Sequence, residues 1–215
     1  MEAQSVRSVA DGPAGLTSQI VVRAALRLMD ERGVEWLSMR KLAAELGVSA
    51  QALYWYFSSK DALCRAVVAA AGDELGTLPL GRGTPLRRLE RYARELRAHW
   101  RAHPSVIALG RRYQPTAAGA VADQGAALLQ ELGFAPDVAV ERHHALVWIV
   151  LGFVYVEQGV SQSAHHQPLA GTVGRYDVRV AGSGSDAPRY QLDTERLFSD
   201  IIRTTLAGLV AELGG

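Results

Sequence analysis

The sequence predicts an all-α protein: a three-helix helix-turn-helix domain at the N-terminal end, then a larger helical domain. Three observations lead there. Apolar residues recur at helical spacing in one segment after another, with no convincing strand and no internal repeat. Most segments open on Ser, Thr, Asp or Pro, and several close on Gly. Two short helices between residues 38 and 57 are separated by only about three residues, as in a helix-turn-helix.

Taken in order, residues 1–16 read as a polar, disordered tail. Thr17 caps the first helix, with Leu16 and Val21 as a hydrophobic staple and Ile20, Ala24 and Leu28 on one face. Gly33 ends it. Ser38 opens the second helix, whose inner face is Met39, Leu42, Ala43 and Leu46. Gly47 makes the turn, and Ser49 caps the third helix. A fourth starts at Ser58, where Ser58 and Asp61 match a capping box, and runs to about Leu75, closing a domain of residues 17–75. The glycine-rich stretch 76–83 reads as a linker.

The second domain, 84–215, opens on Thr84-Pro85, a cap and a first-turn proline. Leu89, Tyr92, Ala93, Leu96 and Trp100 form its first apolar stripe, and Pro104 breaks that helix. Further helices are expected to about Arg112, over Thr116–Leu132, from Pro136 to about Gln162, and from Asp193 onward. Leu197, Ile201, Leu206, Leu209 and Leu213 are the expected inner face of the last. The segment 163–189 reads as a loop.

The chain has 215 residues, 48% of them hydrophobic, enough for a sizeable core. One cysteine, Cys64, cannot close an intrachain disulfide, so a reducing cytoplasm is expected. No signal peptide is read at the N-terminus, and the apolar run Ala145–Val156 is short for a membrane span, so no membrane partner is expected. The net charge is +1, and any nucleic-acid affinity must come from a local patch. No phosphate-binding loop, dinucleotide fingerprint, zinc spacing or nucleophile elbow appears, so neither a cofactor, a metal nor catalysis is expected. His165-His166 is a weak metal pair.

The segment Ser38–Lys60 carries the chemistry. With both inner faces apolar, the third helix presents Ser49, Ala50, Gln51, Tyr54 and Trp55 outward. Small, amide and aromatic groups suit close approach to a major groove, and Gln51 can pair with adenine through two hydrogen bonds. Arg40 reaches a guanine or a phosphate, Lys41 and Lys60 suit phosphates, and Tyr54 and Tyr56 offer hydroxyls to the DNA backbone. The competing reading is an ordinary helical hairpin with Tyr54, Trp55, Tyr56 and Phe57 as core.

Residues 17 to about 68 resemble the DNA-binding domain of the tetracycline-repressor family. The resemblance rests on Glu31-Arg32-Gly33, Ser38-Met39-Arg40-Lys41-Leu42-Ala43, Leu46-Gly47-Val48-Ser49, Leu53-Tyr54-Trp55-Tyr56-Phe57 and Ser59-Lys60-Asp61-Ala62-Leu63, in register without a gap. It implies a transcriptional repressor whose recognition helix holds Gln51, Tyr54 and Tyr56, with Lys60 on a phosphate and Arg40 near a base. Residues 84–215 resemble the family's ligand-binding and dimerisation domain more loosely. There the resemblance implies a homodimer through helices near 136–162 and 193–213. It also implies an aromatic or apolar small-molecule effector, with Tyr92, Leu96, Trp100, His103, Tyr113, His143, His144 and Trp148 as candidate lining. The family's tetracycline-type drugs need a metal-chelating histidine, and no histidine of this sequence is assigned to that role. An all-helical small-molecule carrier or enzyme without specific DNA binding is the alternative. The arginines 87, 88, 91, 94, 97 and 101 read chiefly as a solvated helix face.

Overall fold

The computed structural model describes residues 15–113, 119–163, 175–178 and 190–214. The expected tail falls largely outside the described residues, as does the His165-His166 pair. Nine helices are present among those described: α1 (Ser18–Arg32), α2 (Met39–Glu45), α3 (Ala50–Tyr56), α4 (Lys60–Asp73), α5 (Pro85–Ala102), α6 (Pro104–Tyr113), α7 (Ala120–Leu132), α8 (Pro136–Ser163) and α9 (Thr194–Leu213). A single 3-10 turn, Val34–Trp36, links α1 to α2.

Caps set the boundaries. The side chains of Thr17, Ser38 and Ser49 accept from the amides of Ile20, Lys41 and Ala52, and Asp193 accepts from Glu195 and Arg196. At α4 the cap is Ser59, which accepts from Ala62, and not Ser58. Asp61 therefore does not close the expected capping box. It turns instead to α6, accepting from the Tyr113 hydroxyl at 2.7 Å and from Arg112 at 2.9 Å.

The chain divides into two compact units, residues 1–76 with 102–116, and residues 77–101 with 117–215. In the first, α1 packs on α4 and α6, and α2 on α3. Its core is Val21, Ala25, Leu28 and Met29 of α1, Leu42, Leu53, Leu63 and Val67, with Val106 and Leu109 from α6. Ile20, expected inward, is exposed, while Ala24 and Leu28 of the expected face are buried together with Val21, Val22, Ala25 and Met29. Sequence alone assigns α6 to the second domain, whereas its apolar face packs within the first unit.

In the second unit, the predicted α5 stripe is buried throughout, and α7 packs on α8. The stretch expected to be a linker makes defined contacts with the second unit. Leu78 and Leu80 are buried, and the Gln124 amide both accepts from the Leu78 N–H and donates to its carbonyl, each at 2.9 Å. Arg91 donates to the carbonyls of Leu80 and Arg82. On α9 the inward residues are Phe198, Ile202, Leu206 and Leu209, while Leu197 and Leu213 of the expected face are exposed.

Two points differ further from expectation. Arg175–Val178 (β1) and Tyr190–Asp193 (β2) pair antiparallel, with Arg175 opposite Asp193 and Val178 opposite Tyr190. Four-residue strands are too short to show alternation, so the sequence reads as loop. Within α8, Pro136–Gln158 is long and apolar enough to cross a membrane by those measures, with mean hydropathy 1.2, more than the 145–156 run suggested. Two of its charges are paired, Arg142 with Glu212 at the surface and Glu157 with Arg97 in the interior.

Candidate functional site

The third helix is short because its register allows one anchor. Ser49 caps it, Leu53 is fully buried, and Phe57 is buried just past its end. Everything else on its outer side is left to solvent. Gln51 is exposed, and Tyr54 and Trp55 are 47% and 54% exposed. Adjacent exposed aromatics flanked by small residues and an amide mark a contact surface, since a solvated helix face carries charges. The hairpin reading, in which these aromatics are core, holds only for Phe57.

Around this helix the cations are disposed unequally. Arg40, in the first turn of α2, is exposed. Lys41 is exposed too, with its ammonium 5.2 Å from the ring centre of Trp36. Lys60 is the first residue of α4, directly after its Ser59 cap. Tyr56 differs from expectation. Its hydroxyl donates to the Leu16 carbonyl at 2.6 Å, so its proton is not available to a phosphate. It fastens the end of α3 to the residues before α1.

The eight interior candidates separate into three groups. Tyr92, Leu96, Trp100 and His143 are each buried in the second unit, and of these Tyr92 and His143 are in contact. His103 and Tyr113 lie in the first unit instead, because Pro104 starts a new helix that packs there. His103 Nδ1 meets Asp30 at 2.9 Å, and Tyr113 is held by Asp61. Burial and that hydrogen bond push the Tyr113 hydroxyl up to about 12. The Tyr113 hydrogen bond, with Arg112 and Arg65 nearby, holds Asp61 below its ordinary value. His144 is half-buried, its ring bonded to the Val140 carbonyl and edge-on to that of His143, whereas Trp148 is 69% exposed and faces away from the interior.

At the centre of the buried group, the Tyr92 hydroxyl lies 2.9 Å from the Val121 carbonyl and 2.7 Å from His143 Nε2. A single phenolic proton serves one acceptor. With Tyr92 donating to Val121, a neutral His143 donates from Nε2 to the phenol oxygen, and both bonds are satisfied. Burial, with His144 beside it, lowers His143 from 6.5 to about 4. Trp100 Nε1 and Thr194 Oγ1, also buried in this unit, have no hydrogen-bond partner among the described residues.

The His143 shift predicts a pH dependence. The folded state keeps the ring neutral, whereas the unfolded chain binds a proton below about 6.5. This contribution is therefore complete above that pH and is lost as the pH falls toward about 4. Urea unfolding from pH 7.5 to 4 is expected to lose roughly 3 kcal/mol through this group. A His143→Gln variant is expected to show a flatter profile; an unchanged profile would assign the acid sensitivity elsewhere.

Sequence reasoning missed Trp36 and Arg97. Trp36 sits in a one-turn connector with no periodicity to read, and Arg97 looks like five other arginines on its helix.

Residues 21–67 match the family described as bacterial regulatory proteins, tetR family, and residues 79–211 match the tetracyclin repressor-like C-terminal domain. The tetracycline repressor protein class A from transposon 1721 of Escherichia coli is 32% identical over 162 residues, 69% of this chain and 70% of that protein. A crystal structure of a TetR variant from Acinetobacter baumannii AYE in complex with minocycline superposes with a TM-score of 0.66 at 25% identity. It covers 90% of this chain and 96% of its own. A structure of BioQ with its double-stranded DNA operator gives 0.58 at 26% identity, over 70% of this chain and 93% of that one.

Proposed function

This chain belongs to the tetR family of bacterial regulatory proteins, and from that premise we propose that it is a cytoplasmic, non-enzymatic repressor released from operator DNA by a small organic effector. The observation that carries the reading is the exposure of Gln51, Tyr54 and Trp55 on α3, beside Arg40, Lys41 and Lys60. The helix enters the major groove; Gln51 reads a base edge, Tyr54 and Trp55 make close contacts, and the cations neutralise phosphates. Ser49 leaves room at the helix start.

Dimerisation supplies the second recognition helix. Val140, Trp148, Tyr155 and Val156 leave an exposed apolar stripe along α8, and Leu197, Val210 and Leu213 do so on α9. Large exposed apolar faces are covered in a working protein. A second copy laid on α8 and α9 covers both, and two-fold helix-turn-helix dimers read half-sites roughly 34–36 Å apart, one turn of DNA.

The effector site is the buried group of Tyr92, Leu96, Trp100 and His143. Three of its four side chains are aromatic, and the unpaired Trp100 Nε1 donates to an acceptor oxygen on a ligand. Release requires an arrangement of the two recognition helices that the ligand favours and DNA does not; a coupling of about 1–3 kcal/mol changes DNA affinity about 5–150-fold. The route runs through α4 and through α6, which continues directly from α5 and ends on Asp61, next to Lys60.

Titrations on operator and scrambled duplexes across salt test the assignment. Lys60→Ala is expected to weaken binding to both and to flatten the salt slope by about 0.9. Gln51→Ala is expected to cost roughly 1–3 kcal/mol at one base position and to leave scrambled DNA unaffected. Equal losses on both duplexes for both variants reject this division of roles, and no shift of any duplex rejects DNA binding itself.

A further inference from the structure

We propose that Trp36 is a positioning residue for DNA binding: its indole gathers Arg32 and Lys41 into a paired-cation shelf that takes a backbone phosphate beside the contacts of α3. This inference rests on the DNA-binding reading above.

The geometry is specific. Trp36 ends the 3-10 turn between α1 and α2 and is half-buried there. The Arg32 guanidinium, from the last turn of α1, sits 4.6 Å from the ring centre, and the Lys41 ammonium, from the first turn of α2, sits 5.2 Å from it. An aromatic face attracts cations electrostatically, so one indole holds both long side chains in place. Their charges are not balanced within the cluster. Glu45 lies 3.5 Å from Arg32, while no carboxylate among the described residues is within ion-pair distance of Lys41. Two cations and one anion leave a net positive site, exposed at Lys41 and directly next to Arg40. Two like charges brought to one ring repel each other, and a phosphate relieves that repulsion. Lys41 keeps its N–H donors free to meet it, because the ring contact uses none of them. The ring also fixes a flexible side chain before DNA arrives, reducing the ordering that binding demands.

Salt titration of binding reads this role directly, because each neutralised phosphate adds about 0.9 to the slope of log affinity against log salt. Trp36→Ala is expected to flatten that slope by up to about 0.9, equally on operator and scrambled duplexes. Trp36→Phe, which keeps an aromatic face, is expected to retain most of it. In an Arg32→Gln/Lys41→Gln background, already flattened, Trp36→Ala is expected to change nothing further. An unchanged slope for folded Trp36→Ala overturns the proposal, as does a Phe variant that melts like the parent yet loses as much slope as Ala. If Trp36→Ala does not fold, the Arg32→Gln/Lys41→Gln protein decides, and an unchanged slope there overturns it. A parent that shifts no duplex defeats the regulator reading as well, whereas a parent that binds normally with Trp36 variants unaltered defeats only this inference.

Discussion

Replacing Arg97 with Met is expected to cost about 3–5 kcal/mol of folding free energy, the loss seen when one partner of a buried ion pair is removed. Arg97 is buried, yet it is the hub of the second unit. Its Nε and Nη2 donate to both oxygens of Glu157 on α8, at 3.2 and 2.7 Å, and its Nη1 donates to Glu195 on α9 at 2.7 Å. The guanidinium also lies 5.2 Å from the Phe153 ring and 4.7 Å from that of Phe198. One side chain thus fastens three helices through hydrogen bonds, charge and ring contact. Methionine fills similar volume but takes away the two-bond partner of Glu157, leaving that buried carboxylate with Arg101 Nε at 3.9 Å. The Arg97 hydrogen bond holds Glu195 below its ordinary carboxylate value, but that side chain is 65% exposed, so water substitutes there and the damage concentrates on Glu157. Chemical unfolding of Arg97→Met against the double variant Arg97→Met/Glu157→Leu separates these causes. The double variant is expected to regain most of the loss, because an apolar pair of similar volume replaces a buried ion pair at little net cost. A single variant as stable as the parent would show that the network contributes nothing.

That hub marks where sequence reading stops. Arg97 is one of six arginines spaced along α5, and the residues that bury it lie 60 and 98 positions away in the chain. Nothing local distinguishes it from Arg94, which is exposed. The local signals, in contrast, carried well. Thr17, Ser38, Ser49 and Asp193 are caps in fact because a cap needs only its own oxygen and an amide two or three residues on. Adjacent Ser58 and Ser59 offer the same chemistry, and only the packing of α4 selects the second. On α9, leucines and isoleucines occupy two faces, so the sequence does not fix which of Leu197 or Phe198 turns inward. The outward surface of α3 was legible because Leu53 leaves its neighbours one direction to point. The interior candidates were less so, since His103 and Tyr113 belong to residues 102–116, around and after Pro104, which fold with the first unit.

Gly125 supplies the second large effect, and it tests the centre of the proposed effector site. The residue lies on α7, opposite the Tyr92–His143 pair. A methyl group placed there would come within 2.7 Å of His143 Nε2 and 2.8 Å of Tyr92 Cζ, and nearer still to His143 Cδ2. Neither ring has room to retreat, since Tyr92 is fully buried and bonded to Val121, and His143 is buried as well. Gly125→Ala is therefore expected to force one ring aside. Overpacking costs about 1–3 kcal/mol, and a buried donor or acceptor left unsatisfied costs about 1–3 kcal/mol more. Alanine's better helix propensity returns only about 1 kcal/mol. Urea unfolding measures the sum. Gly125→Ala/Tyr92→Leu is expected to recover part of it by trading the phenol for a smaller apolar group that also frees His143 to turn. A Gly125→Ala protein as stable as the parent would mean that α7 and α8 stand farther apart than these contacts require. In that case the pair does not define a close-packed floor for a ligand. If the variant is destabilised yet still binds operator DNA while its response to effector is lost, the same glycine joins the packing of the interior to the function proposed for it.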